Sequence, residues 1–400
     1  MRISAIIMLV FVAIPVLAQE KRNQSRKYYQ EGENAFNDGN YTDALKSLNL
    51  CLQADPSFAE GYLTRAATRE QLDDLKGAHT DYSIYLELRP DQPEALYSLA
   101  VVRYRLGMYE TAKKDLLKLL TLPPGETTTV YFKLSASPSG TNQITTAQSA
   151  IRPQLYNYLG LVETKLGNFP TAITWLDSAI ALVGKEPDYY VNRGLAREEN
   201  KDNKGAIADY KLALLINPEH AAALHNLAVL SKLTGDNTSA LEQLEKAIES
   251  DSSMLYPYLE RAYRRMEGGY YKGAIDDYNR ALEINNSDPE IWLSRGIARE
   301  KSNDLRGAFS DYTKAIELEE KFERAWLNRG NVLTKQGKYR EACEDYAVAI
   351  TFNPGYAFAY YNRAIARQKL KQHAEACSDL QKAEEFGQEV SQKMKNDFCK

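Results

Sequence analysis

Six arginines in this 400-residue chain each stand sixteen residues ahead of an aspartate: Arg65 and Asp81, Arg193 and Asp209, Arg261 and Asp277, Arg295 and Asp311, Arg329 and Asp345, Arg363 and Asp379. A guanidinium is a planar fork that a carboxylate accepts through two parallel bonds, so the matched columns predict six ion pairs. A further arginine one helical turn on, at Arg69, Arg197, Arg265, Arg299 and Arg367, is placed to share the same carboxylates. The functional alternative, an arginine ladder that grips an acidic ligand, is opposed by the aspartate column, which neutralises it.

Little else in the chain has the spacing of catalysis. His79, His220, His225 and His373 are the only histidines, and none sits in an HExxH or Cys/His metal pattern. Glycine-rich phosphate loops and a GxSxG elbow are absent from the sequence. Neighbouring acids such as Glu198-Glu199 and Glu319-Glu320 read as solvated helix faces or ends. The sequence therefore reads as non-enzymatic, with no cofactor, no metal and no small-molecule substrate. A formal charge of −4 is mildly acidic, which speaks against nucleic acid as a partner.

The elements that hold these columns follow a 34-residue period. Alanine recurs at Ala44, Ala78, Ala112, Ala172, Ala206, Ala240, Ala274, Ala308, Ala342 and Ala376, with one step lengthened to 60 residues. Twelve residues before each stands only Gly or Ala, from Gly32 and Ala66 through to Ala364. Two columns limited to the smallest side chains predict two helices crossing too closely for anything larger. An aromatic or Leu opens the first helix, and a Gly, Asn, Asp or Lys five before the alanine marks the turn. Pro56, Pro90, Pro124, Pro218 and Pro354 close the second helix. The fold class expected is an all-α solenoid of stacked helix-turn-helix units.

This pattern of aromatic, Gly/Ala, turn, Ala, Tyr/Leu, Ala and Pro resembles the tetratricopeptide repeat, over about nine-tenths of the chain. The resemblance implies a superhelix whose first helices line a concave groove that binds peptides. On the matching places it implies groove candidates at Asn192, Asn226, Asn328 and Asn362, with Leu259, Leu293, Leu327 and Tyr361 as an apolar floor. The alternative for much of that floor is helix-on-helix packing. The carboxylate clamp of chaperone-binding relatives is missing, since its places hold Tyr29/Glu33, Leu63/Ala67 and Tyr97/Val101. The chain departs from the family in its arginine column, where Leu is usual.

The ends and one insertion stand outside the period. Residues 1–18 pair Arg2 with an apolar run and a small-residue cleavage point between Ala18 and Gln19, as a secretory signal peptide does. An uncleaved anchor is the alternative, and would be the only membrane contact. Repeats are expected over 25–124 and 153–386, separated by a Thr-rich insertion at 125–152 that reads as a β-hairpin or a loop. The insertion is a candidate break between blocks of three and seven repeats. Residues 387–400 carry Val390, Met394 and Phe398 at helical spacing, and are expected to form a capping helix. Four cysteines are too few for a disulfide framework; Cys343 and Cys377 occupy equivalent places in adjacent repeats and are read as structural.

Together these readings predict an exported, periplasmic or secreted scaffold that holds a protein or peptide in its groove, in an envelope or secretion-related assembly. A self-assembling structural component of such a complex is the alternative.

Overall fold

The computed structural model describes residues 2–121, 130–132, 143–145, 152–231 and 237–399; for 2–18, 130–132 and 143–145 it describes the backbone alone. The chain is an α-α solenoid that divides into two compact units, Met1–Pro218 and Glu219–Lys400.

The first unit holds five helix pairs: α1 (Arg2–Asn37) with α2 (Tyr41–Ala54), α3 (Ala59–Gln71) with α4 (Leu75–Leu88), α5 (Pro93–Arg105) with α6 (Tyr109–Thr121), α7 (Arg152–Lys165) with α8 (Phe169–Leu182), and α9 (Pro187–Glu199) with α10 (Asn203–Ile216). Between α6 and α7, β1 (Val130–Phe132) pairs antiparallel with β2 (Gln143–Thr145), with Tyr131 opposite Ile144. The second unit holds α11 (Ala221–Leu230) with α12 (Asn237–Ser250), α13 (Leu255–Glu267) with α14 (Tyr271–Ile284), α15 (Pro289–Lys301) with α16 (Leu305–Leu318), α17 (Glu323–Lys335) with α18 (Tyr339–Phe352), and α19 (Ala357–Lys369) with α20 (His373–Glu385). The short α21 (Gln392–Phe398) follows.

Close crossing explains the small columns. All ten alanines of the first column are wholly buried. Opposite the second column stands a large side chain. A Cβ on Gly194 or Gly296 would lie 2.5 Å from the ring of Tyr210 or Tyr312, nearer than real contacts allow. Turns between paired helices pass through the left-handed region, at Gly39, Gly107, Gly167, Gly269 and Gly337 and also at Asp73, Lys201, Asn303 and Lys371. Asp74, Asp202 and Asp304 then cap the second helix by accepting the backbone N–H of Gly77, Gly205 and Gly307.

The insertion does not divide the chain. Tyr97, Ala100 and Leu116 before it share a buried cluster with Leu155, Leu159 and Val162 after it, so the pairs on either side pack as neighbours. Lys113 of α6 bridges this join to the buried Glu163 of α7 at 2.8 Å, and Asn168 donates to the other oxygen of Glu163 at 2.8 Å. What the insertion's side chains do lies outside the described residues.

Two expectations about the tail and cysteines need correction. The last helix begins at Gln392, because Gly387 ends α20 in the left-handed region and Ser391 caps the new start; Val390 precedes the helix. Cys377 is not an isolated structural thiol: it is bonded to Cys399, with Cα atoms 4.9 Å apart. Counting by repeats compared Cys377 only with Cys343 and missed the tail folding back. The signal-peptide reading concerns side chains outside the described residues; the backbone of residues 2–18 continues α1. Among the described residues no helix is long and apolar enough to cross a membrane.

Candidate functional site

Each Arg–Asp column forms a node between paired helices. Arg65 donates Nε and Nη2 to Asp81 at 2.8 and 2.7 Å, and Arg69 adds Nη1 at 2.8 Å. The same three-way contact joins Arg193 and Arg197 to Asp209, Arg261 and Arg265 to Asp277, Arg295 and Arg299 to Asp311, and Arg363 and Arg367 to Asp379. Arg329 meets Asp345 alone, at 2.7 Å. All six aspartates are buried, and the paired arginines keep their charge satisfied.

A hydrogen bond to the preceding pair holds some of the first arginines, and a ring contact holds each one. Its guanidinium lies beside the aromatic that opens the helix, 4.7 Å from the rings of Trp292 and Trp326 for Arg295 and Arg329, and 5.5 Å from that of Tyr62 for Arg65. In four of these arginines the remaining nitrogen reaches the second helix of the preceding pair: Arg65 to Asn49, Arg193 to Asp177, Arg295 to Asn279 and Arg329 to Thr313, at 2.9, 2.6, 2.7 and 3.4 Å. Asp115 has no arginine sixteen residues ahead, but Arg103 of the same pair supplies one from the other column. A hydroxyl–carboxylate contact that the arginine columns do not announce sits next to these nodes. Tyr82, Tyr210 and Tyr312 donate to Glu70, Glu198 and Glu300 at 2.5, 3.0 and 2.8 Å. Burial raises the Glu70 and Glu198 carboxyls above their ordinary values. The arginine columns thus join the two helices of a pair through a shared buried carboxylate.

First helices touch first helices along each unit, α7 on α9 in the one and α15 on α17 on α19 in the other. The groove candidates lie on these helices, and they separate into two classes. Leu293 and Leu327 are buried, at 0% and 8% exposure, inside the clusters around Tyr312 and Tyr346. They pack helix on helix and are withdrawn from the floor, since their place faces the neighbouring pair. Leu259 also packs against its pair's core, around Tyr258 and Tyr278, and is half-buried. Tyr361 is half-buried. The accessible apolar surface lies four residues further on, where Leu195 and Tyr263 are exposed and Ile297 and Ile365 half-buried.

The asparagines are held by neighbours. Asn192 donates Nδ2 to Asn157 of α7 at 2.8 Å, and Asn362 donates Nδ2 to Asn331 of α17 at 2.8 Å. Tyr346 also donates its hydroxyl to Asn331, at 2.9 Å. Asn328 instead turns back to the Arg324 carbonyl, 2.9 Å away on its own helix. Asn226 is half-buried on α11, one residue after His225, whose imidazole burial alone pushes down to about 4. His225 lies tilted against the exposed Tyr256 ring, 6.4 Å between centroids. Asn331 was missed by the sequence reading, because its column holds apolar residues in every repeat but this one and the first, which has Glu33; its 34-residue register to Ile297 and Ile365 was the available signal. Among the described residues no group of His, Cys, Asp and Glu gathers to hold a metal ion.

Helix pairs of this length, with small columns at the crossing and left-handed turns, coincide with matches to family profiles. Profiles described as TPR repeat or Tetratricopeptide repeat match residues 94–123, 187–220, 220–250, 262–303 and 330–371. The chain carries tetratricopeptide repeats. A Protein STIP1 homolog from Dictyostelium discoideum is 29% identical over 105 residues, 26% of this chain and 19% of that protein. DnaJ homolog subfamily C member 3 from Homo sapiens is 21% identical over 225 residues, 56% of this chain and 42% of that protein. The chain thus spans less than half the length of either curated relative. The C-terminal part of a TPR repeat-containing protein from Cytophaga hutchinsonii shares the fold, with a TM-score of 0.50 at 17% identity over 60% of this chain and 98% of that one. YrrB, described as a TPR protein with an unusual peptide-binding site, is 26% identical with a TM-score of 0.40, covering 44% of this chain and 92% of that one.

Proposed function

We propose that the chain is a non-enzymatic scaffold whose first helices hold an extended protein segment, and that all ten helix pairs act as repeats of one kind. The asparagine pair Asn331–Asn362 carries the reading. One contact of 2.8 Å uses the Asn362 amide nitrogen and the Asn331 oxygen, which fixes both side chains and leaves the Asn331 nitrogen and the Asn362 oxygen for a partner. A donor and an acceptor held on neighbouring helices match what a peptide backbone offers, and fixing them beforehand lowers the entropy lost on binding. Asn157–Asn192 repeats the arrangement in the first unit. Half-buried Ile297, Ile365 and Tyr361 beside the second-unit pair offer contacts for alternate side chains of a strand-like ligand.

Export from the cytoplasm belongs to this proposal, with an envelope or secretion-related assembly as its setting. The apolar run before Ala18 supports it. The Cys377–Cys399 bond supports it too, because disulfides persist in oxidising compartments. The mass of the mature chain from its native host tests export: the reading requires a chain that starts at Gln19, and cytosolic chain retaining residues 1–18 would end it.

The groove test is cross-linking from photoreactive residues at Ile297 and Ile365 in the native host, followed by mass spectrometry. Partner cross-links should be lost in the double variant Asn331→Ala, Asn362→Ala. Retention of every cross-link in that variant, with its melting curve unchanged, would place recognition elsewhere.

A further inference from the structure

We propose that the Cys377–Cys399 disulfide is a redox-operated latch that holds α21 on the last helix pair and releases it on reduction. The inference is independent of what the groove binds. α21 has seven residues, well short of the roughly 12–15 that a free-standing helix needs, so it persists only by docking. Among the described residues, the contacts that dock it are shallow. No residue of α21 is buried; Met394 and Phe398 are half-buried. One ion pair, Lys395 to Glu384 at 2.5 Å, is solvent-exposed and contributes little. The hydrogen bond from the Gln368 amide to the Asp397 carbonyl, at 3.2 Å, is exposed as well. The covalent bond is therefore the dominant restraint on where α21 sits.

The bond is also reachable. Cys399 is exposed and Cys377 half-buried, so a dithiol reductant has access to the Cys399 sulfur. A reductant thiolate attacks Cys399 Sγ, forming a mixed disulfide and releasing Cys377 as a thiolate. The second reductant thiol then attacks its own sulfur of the mixed disulfide and frees Cys399. Two electrons pass to the cysteine pair, the reductant leaves as its own disulfide, and two protons end on the new thiols. Cys343 is a weak competitor for exchange: it is half-buried, and burial raises its thiol above the ordinary value. Release uncovers the face of α20 on which α21 lies, beside the half-exposed Phe386, whose ring is tilted against Tyr360 at 5.7 Å.

Amide hydrogen exchange on the full chain, before and after dithiothreitol, tests the latch. Residues 392–398 should exchange at least tenfold faster after reduction, while α15 to α20 keep their protection. Cys399→Ser should show the fast pattern without reductant. Unchanged exchange in α21 after reduction would overturn the proposal. So would loss of protection through α19 and α20, which would make the bond a structural staple, or non-reducing peptide mapping that finds Cys377 as a free thiol.

Discussion

Arg295 and Asp311 face each other through two hydrogen bonds of 3.0 and 2.7 Å, and Arg299 reaches the same carboxylate at 2.9 Å. The aspartate side chain is 1% exposed, and those of Arg295 and Arg299 are 12% and 23% exposed. Asp311→Ala should destabilise the second unit by about 3–5 kcal/mol, because two partly buried guanidinia then lose the buried carboxylate they share. The exposed pair Lys314–Glu317 gives the contrast: Lys314→Ala should change stability by less than about 0.5 kcal/mol. Urea unfolding of both variants reads the difference.

Gly296 meets the Tyr312 ring where a Cβ would sit, 2.5 Å away. Gly296→Ala should cost about 1–3 kcal/mol by forcing the ring out of place. The chain itself supplies a compatible combination, since Ala100 faces the buried Leu116 and Ala364 the buried Leu380 in the same two columns. Adding Tyr312→Leu to Gly296→Ala should therefore recover part of the loss. Thermal melts showing additive damage would contradict this account of the column.

Much of this was readable in the residues. The period, the small columns and the six Arg–Asp spacings are backbone-register properties, and the structure joins the six pairs that the spacing picks out. The groove was less legible. Leu293 and Leu327 share a column with half-buried Leu259 and Tyr361, and spacing does not reveal how far a neighbouring pair covers each member. Asn331 interrupts a mostly apolar column, so its contact with Asn362 needed three-dimensional placement. The disulfide lay outside the period altogether, because Cys399 belongs to the tail.

His225 supplies a pH dependence. Burial alone holds its imidazole near 4, against an ordinary 6.5, so the folded form keeps it neutral. A depressed histidine pKa means the unfolded chain binds the extra proton first. Its stability is then complete above pH 6.5 and declines as pH falls from 6.5 to about 4, by up to about 3 kcal/mol. His225→Leu should flatten that part of the stability–pH curve. An identical slope in both proteins, measured by urea unfolding at several pH values, would assign the acid sensitivity to other groups.

Glu163 is the buried acid at the join between α6 and α7, with Lys113 and Asn168 as partners at 2.8 Å each. Lys113→Ala leaves its carboxylate buried with only an amide, and should cost about 3 kcal/mol. Hydrogen exchange should speed up in α6 and α7 before it does in α9 and α10. Uniform acceleration across the unit would show that the bridge has no local role.

The sideways reach of Arg65, Arg193 and Arg295 onto the pair before them has a mechanical consequence. Leu99, Leu159 and Leu227 stand where other pairs carry the first arginine, so the chain alternates riveted and unriveted stretches. Drawn out under tension, it should part first along α5 to α8, where Lys113 to Glu163 joins one pair to the next in place of an arginine rivet. The stretch from α13 to α20 carries two successive rivets, Arg295 to Asn279 and Arg329 to Thr313, and should hold longer.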